Sequence, residues 1–119
     1  MNSQEYEEID ITTKITRDLE YINNEIIAKQ IDGNLCKWSR VLNTVSIIGL
    51  TPKQFLNYWI KQYKFYPEYL DTIMQACLEK LTNGLISREE MISKIQNSVD
   101  FESEKIKAIA LLGGKYVKQ

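Results

Sequence analysis

The chain contains no histidine. That absence removes the Ser-His and Cys-His pairs of nucleophilic catalysis, the histidine metal ligand, and the side chain whose ordinary pKa lies nearest neutral pH. Cysteine is scarce too: Cys36 and Cys77 are the only two, too few for a four-thiolate zinc site. Carboxylates alone favour magnesium or calcium, for which no loop motif is present. The expectation is therefore a non-enzyme with no metal and no cofactor. Long apolar runs are missing as well. The longest, residues 45–50 and 106–112, are interrupted by Ser46 and Lys107 and fall far short of the roughly 20 residues of a membrane span. The opening MNSQEYEEID is acidic and lacks the basic and apolar regions of a signal peptide, so an intracellular, reducing setting with free thiols and no membrane partner is expected.

What remains is ordinary globular composition: 119 residues, 44% apolar and 26% charged, enough for one domain around one core. Sixteen Ile, 12 Lys and 8 Asn against 3 Arg and 2 Pro is the usage of AT-rich coding DNA, as in a low-GC bacterium, a virus or a mobile element.

The apolar spacing reads as helix throughout. Ile15, Leu19, Ile22 and Ile26 step by four, three and four, a narrow stripe of the a/d type that could pair two chains as a homodimer. Asp32-Gly33-Asn34 closes that helix. Leu35, Trp38, Val41, Leu42, Val45 and Ile48 keep helical period in a second element, with Gly49 at a left-handed C-terminal position. Thr51-Pro52-Lys53-Gln54 supplies an N-cap, a proline in the first turn and a capping-box glutamine, opening a third helix that Pro67 ends. Ile73, Met74, Cys77, Leu78 and Leu81 mark a fourth, stopped by Asn83-Gly84. Ser87 and Glu90 open a fifth with Met91 and Ile95. Phe101, Ile106, Ile109 and Leu112 form a sixth, stopped by Gly113-Gly114. The spacing thus predicts an all-α single domain of five or six helices with short connections and room for a helix-turn-helix-like unit. Residues 1–10 and 114–119 are expected to be flexible. Glu89 and Glu90 complement the dipole of a first helical turn and do not converge as a catalytic pair. Gly113-Gly114-Lys115 lacks the spacing of a phosphate loop and reads as a helix stop.

Charge placement is the positive signal. Residues 1–34 hold eight acids and three bases, net −5, whereas residues 35–66 hold five bases and no acid, net +5. Residues 67–102 return to net −4 with seven acids and three bases, and the remaining residues reach net +3 with four bases and one acid. On the helix after Pro52, Phe55, Leu56, Trp59 and Tyr63 share one side, while Lys53, Asn57, Lys61 and Lys64 share the other. Tyr58 and Tyr66 are the candidate exposed aromatics, and Lys37 and Arg40 extend the basic segment. This face is expected to bind a partner protein with an acidic surface, making the chain an adaptor or inhibitor. The alternative is nucleic acid, with residues 52–66 as the recognition helix of a DNA-binding regulator. A third arrangement has the basic segment neutralised by the chain's own acidic helices.

Leu50-Thr51-x-x-Gln54-Phe55-x-x-Tyr58-Trp59 resembles the opening of the third helix of a homeodomain, which implies a helix-turn-helix geometry and major-groove binding. Where that family carries its adenine-reading asparagine and several arginines, this chain has Lys61, Gln62, Tyr63 and Lys64, and it has no basic N-terminal arm. A second pair of helices, across Asn83-Gly84, would present Glu89 and Glu90 to phosphates, so a plain helical hairpin is expected there.

Overall fold

Thr51 begins a helix for a purely local reason. Its Oγ1 accepts from the Gln54 N–H at 3.1 Å while its own N–H donates to Gln54 Oε1 at 3.1 Å, and Pro52 follows where a missing N–H costs nothing. The structure, a computed structural model, describes residues 3–63 and 69–118, with side chains from Thr13 on. Its elements in chain order are α1 (Ser3–Asn24), β1 (Ile26–Lys29), β2 (Leu35–Ser39), β3 (Thr44–Leu50), α2 (Pro52–Gln62), α3 (Leu70–Asn83), α4 (Arg88–Gln96) and α5 (Glu102–Leu111). The expected start of the third helix is met at Pro52. Its expected end at Pro67, with Lys64 and Tyr66, lies outside the described residues.

The all-α expectation is overturned: among the described residues, five helices surround a three-stranded antiparallel sheet of order β1-β2-β3. The element predicted as a second helix is the hairpin β2–β3. Asp32-Gly33-Asn34 ends no helix; it turns β1 into β2, with Gly33 N–H donating to Gln30 O and Gln30 N–H to Asn34 O. Gly49 does take a left-handed φ of 78°, but in a β-bulge and not at a helix end. Two register shifts each insert an extra residue into β3, and glycine tolerates the bulge conformation without the penalty a Cβ brings. Ile26 leaves the α1 stripe altogether and sits in β1.

The sheet is the middle of three layers. On one face Ile22 of α1, Ile27 and Leu35 of the sheet, Phe55 and Trp59 of α2, and Ile73 and Cys77 of α3 form one buried cluster, with Ile15 and Leu19 packed against it. On the other, Ala28, Cys36 and Trp38 meet Met91 and Ile95 of α4 and Ile109 of α5. Each layer hides the apolar face of the next. The α3–α4 connection therefore passes from one side of the sheet to the other, which rules out the plain hairpin expected there. On the way, Ile86 N–H donates to Ile27 O at 2.9 Å, forming a parallel bridge that covers the free edge of β1. No helix-turn-helix precedes α2 either, because the element before it is a strand.

Helix ends follow the sequence more closely. Ser87 Oγ accepts from the Glu90 N–H at the start of α4. At the end of α5, Gly113 N–H donates to Ala110 O and Gly114 N–H to Ile109 O, a Schellman closure with Gly113 at φ 81°. Of the stripe expected on α5, Ile109 and Leu112 are buried, whereas Phe101 and Ile106 face solvent. After Gly114 the described residues run as irregular chain to residue 118. Gln96 and Val117 exchange hydrogen bonds, and Tyr116 packs on the second cluster below Lys105. At the other terminus the backbone is helical from Ser3.

One buried polar side chain holds the hairpins together. Gln30, 1% exposed, accepts from the Gly49 N–H at 2.8 Å and donates to Asp32 at 3.2 Å. Gln30→Ala removes the acceptor that satisfies the bulge. It is expected to cost about 0.5 to 1.5 kcal/mol in urea unfolding, the net worth of a typical hydrogen bond, because Gly49 itself is exposed. A loss below about 0.5 kcal/mol would mean that water replaces the amide.

Candidate binding face

The apolar spacing of α2 sorts its side chains as the sequence predicted. Phe55 and Trp59 are each 1% exposed and meet edge to face at 5.6 Å between ring centroids. Trp59 Nε1 donates to Tyr63 Oη at 3.1 Å, and burial pushes the Tyr63 phenol well above its usual range. With that side held inward, Lys53, Asn57, Tyr58 and Lys61 are exposed. Lys61 follows Tyr58 by three residues, so the two lie on adjoining parts of one face.

Tyr58 also walls a cleft of about 340 Å³ that the sequence did not suggest. Its other walls include Tyr21 and Asn24 at the end of α1, Glu25 just after it, Lys37 and Ser39 of β2, and Arg40 and Val41 of the following turn. The fold thus gathers Lys37 and Arg40 of the β2 segment and Tyr58 of α2 from two separate stretches of chain, while Lys53, Asn57 and Lys61 stand on the helix beside them. Tyr21 and Glu25 were missed. Tyr21 carries a signal, being an aromatic off the Ile15-Leu19-Ile22 stripe, but its nearness to Lys37 follows only from the strand pairing.

The charges in the cleft are not equivalent. Lys37 Nζ lies 2.8 Å from Glu25 Oε2 with both side chains under one-fifth exposed, so the chain's own acid neutralises it. The other ion pair among the described residues joins Lys14 and Asp18. Arg40, Lys53 and Lys61 thus have no acidic partner within 4.0 Å among those residues, and α2 has no acid in its first turn. At the end of α1, Lys80 Nζ donates to Asn23 O at 2.6 Å and caps the helix. Burial lowers its pKa against the opposing pull of Glu25.

The stripe predicted for self-association is placed otherwise. Ile22 is fully buried, Ile15 and Leu19 pack on the same cluster, and Ile26 lies in β1 against the second cluster. Ile15, Leu19 and Ile22 thus pack within the chain on one side of the sheet and Ile26 on the other.

Neither thiol is poised for attack. Burial raises Cys36 to about 11 against a weak opposing bond from its Sγ to Ala28 O, and burial alone raises Cys77 to about 11. Both are protonated at neutral pH and act as small apolar side chains. No group of three or more Cys, Asp or Glu side chains that could hold a metal ion occurs among the described residues. None of the described helices is long and apolar enough to cross a membrane. No protein-family model, curated protein or solved structure matches this chain.

Proposed function

We propose that the chain is a small non-enzymatic interaction protein that docks an acidic protein surface on the outer face of α2 and the adjoining cleft. The observation that carries this reading is the set of unpaired bases, Arg40, Lys53 and Lys61, beside the exposed aromatics Tyr21 and Tyr58. Glu25, an acid lining the cleft, is already paired with Lys37, and the charges left unpaired beside it attract an opposite surface and speed its arrival. Aromatic rings provide contact area at small entropic cost. The burial of both thiols supports a binding role over a nucleophilic one.

The test uses a fluorescent polyglutamate peptide, with mixed-sequence duplex DNA as the competing probe. The wild type is expected to bind the peptide with an affinity that falls as salt rises. Lys53→Glu with Lys61→Glu should leave unfolding within about 1 kcal/mol, since exposed substitutions shift stability little, yet weaken peptide binding more than tenfold. Unchanged peptide binding by the double variant would show the α2 face to be a bystander. Tighter binding to DNA than to peptide, with a steep salt slope, would replace the acidic protein by a phosphate backbone.

A further inference from the structure

Two places in this chain break local rules in a way the fold does not need. The turn between β2 and β3 is Arg40-Val41-Leu42-Asn43, with Asn43 at the left-handed φ of 54°. Turns of this kind favour Gly, Asn, Asp and Ser. Here the middle holds two large apolar side chains, Val41 at 94% and Leu42 at 65% exposure. The second place is the start of α5, where Phe101 occupies the N-cap with no side-chain hydrogen bond and 82% exposure. Ser, Thr, Asp or Asn is the stabilising choice at an N-cap. Val99, 69% exposed, lies two residues before it.

The fold brings these two exceptions side by side. Val99 N–H donates to Asn43 O at 3.2 Å, and Val45 N–H donates to Asp100 Oδ2 at 3.1 Å. The tip of the β2–β3 hairpin and the α4–α5 loop thus lie side by side and together expose Val41, Leu42, Val99 and Phe101. Four such side chains present several hundred Å² of apolar surface, the size at which a patch on a monomer signals an interface. Sites where sequence defies local propensity without gain to the fold are where function is expected.

The charges bordering the patch choose the occupant. Arg40 precedes Val41 on the hairpin side, and Glu102 follows Phe101 on the helix side. Neither forms an ion pair among the described residues. Asp100 is already engaged by Val45 N–H and Ser98 Oγ. A purely acidic ligand would meet Glu102, and a purely basic one would meet Arg40. A second copy related by a two-fold axis meets neither problem: each hairpin tip lies over the other copy's α4–α5 loop, and Arg40 of each faces Glu102 of the other. We infer that the hairpin tip and the α4–α5 loop form a self-complementary surface through which two copies of the chain associate. This rests on the hairpin tip and the α4–α5 loop and not on α2, although Arg40 and Val41 also line the cleft beside α2; loss of the dimer in Phe101→Ser with peptide binding unchanged separates the two surfaces.

A patch of this size falls below the ~800 Å² per partner of a standard stable interface, so association should depend on concentration. Sedimentation equilibrium of the full chain is expected to show monomer passing to dimer between the micromolar and millimolar ranges. Phe101→Ser and Val41→Asn each supply the residue the local backbone prefers, so their melting temperatures should hold or rise while the dimer is lost. Arg40→Glu and Glu102→Arg should each weaken association about tenfold, because the two-fold repeats every pair, and the double reversal should restore it. A wild type that stays monomeric throughout, dimers that survive Phe101→Ser, or a double reversal no better than the single ones would each overturn the inference.

Discussion

Trp59→Ala is expected to cost about 3 to 5 kcal/mol in chemical denaturation, the range for truncating a buried aromatic side chain to alanine. Three structural losses add up at that position. The indole is 1% exposed, so its whole surface returns to a cavity. It gives up the edge-to-face contact with Phe55 and it withdraws the hydrogen bond to Tyr63 Oη. Domains of this size hold only about 5 to 15 kcal/mol in total, so much of the variant should be unfolded at 37 °C. Tyr58→Ala, one position away, should cost far less, about 1 kcal/mol, because the ring is 41% exposed and gives up only a tilted contact with Phe55 at 6.4 Å. Similar losses from the two substitutions would mean that α2 does not turn its Phe55-Trp59 side inward.

The second large effect belongs to the opposite side of the sheet. Ile109→Ala is expected to cost about 2 to 5 kcal/mol, because Ile109 is fully buried at the centre of the cluster that joins α5 to α4 and the strands. Its carbonyl also accepts the Gly114 N–H that closes α5. The two tryptophans allow the two sides to be watched separately, since Trp59 lies in the first cluster and Trp38 in the second. In a Trp59→Phe background, Trp38 fluorescence should report loosening around α4 and α5 in the Ile109→Ala variant. Substitutions gentle enough to keep the chain folded, such as Trp59→Phe and Ile109→Val, should add to within about 0.5 kcal/mol, as distant sites with no shared partners do. A large coupling energy would show that the sheet transmits strain from one side to the other.

The α2 segment was legible because its signals are local. A cap, a proline and a glutamine within four residues leave little for tertiary structure to decide. The Schellman glycines after α5 are legible for the same reason. Residues 35–50 were not, and the failure has a physical cause. A strand covered by helices on both faces buries neighbours such as Leu35 and Cys36 together, so the apolar-polar alternation that marks a half-exposed strand never appears. Val41 and Leu42, exposed in the turn, then supplied the positions that completed a false helical period. Asp32-Gly33 and the run Thr44-Val45-Ser46-Ile47-Ile48, β-branched at every position but Ser46, were the available counter-signals. The basic face of α2 could be read from its spacing. The cleft beside it could not, since its walls meet only once β2 lies between its neighbours.

The layered order of the chain has a consequence while the protein is being made. Everything in the first cluster precedes Ile86, whereas the second face of the sheet waits for α4 and α5. At roughly 5 to 20 residues per second, the stretch from Ile86 to Leu111 takes a few seconds to synthesise. Through that interval the nascent chain carries a nearly finished sheet whose back, with Cys36, Trp38, Val45 and Ile48, is bare and whose β1 edge has no bridge. A ribosome pausing within α4 would prolong the exposure of that surface to neighbouring nascent chains and chaperones, and chain truncated there would be an aggregation hazard even with its first core complete.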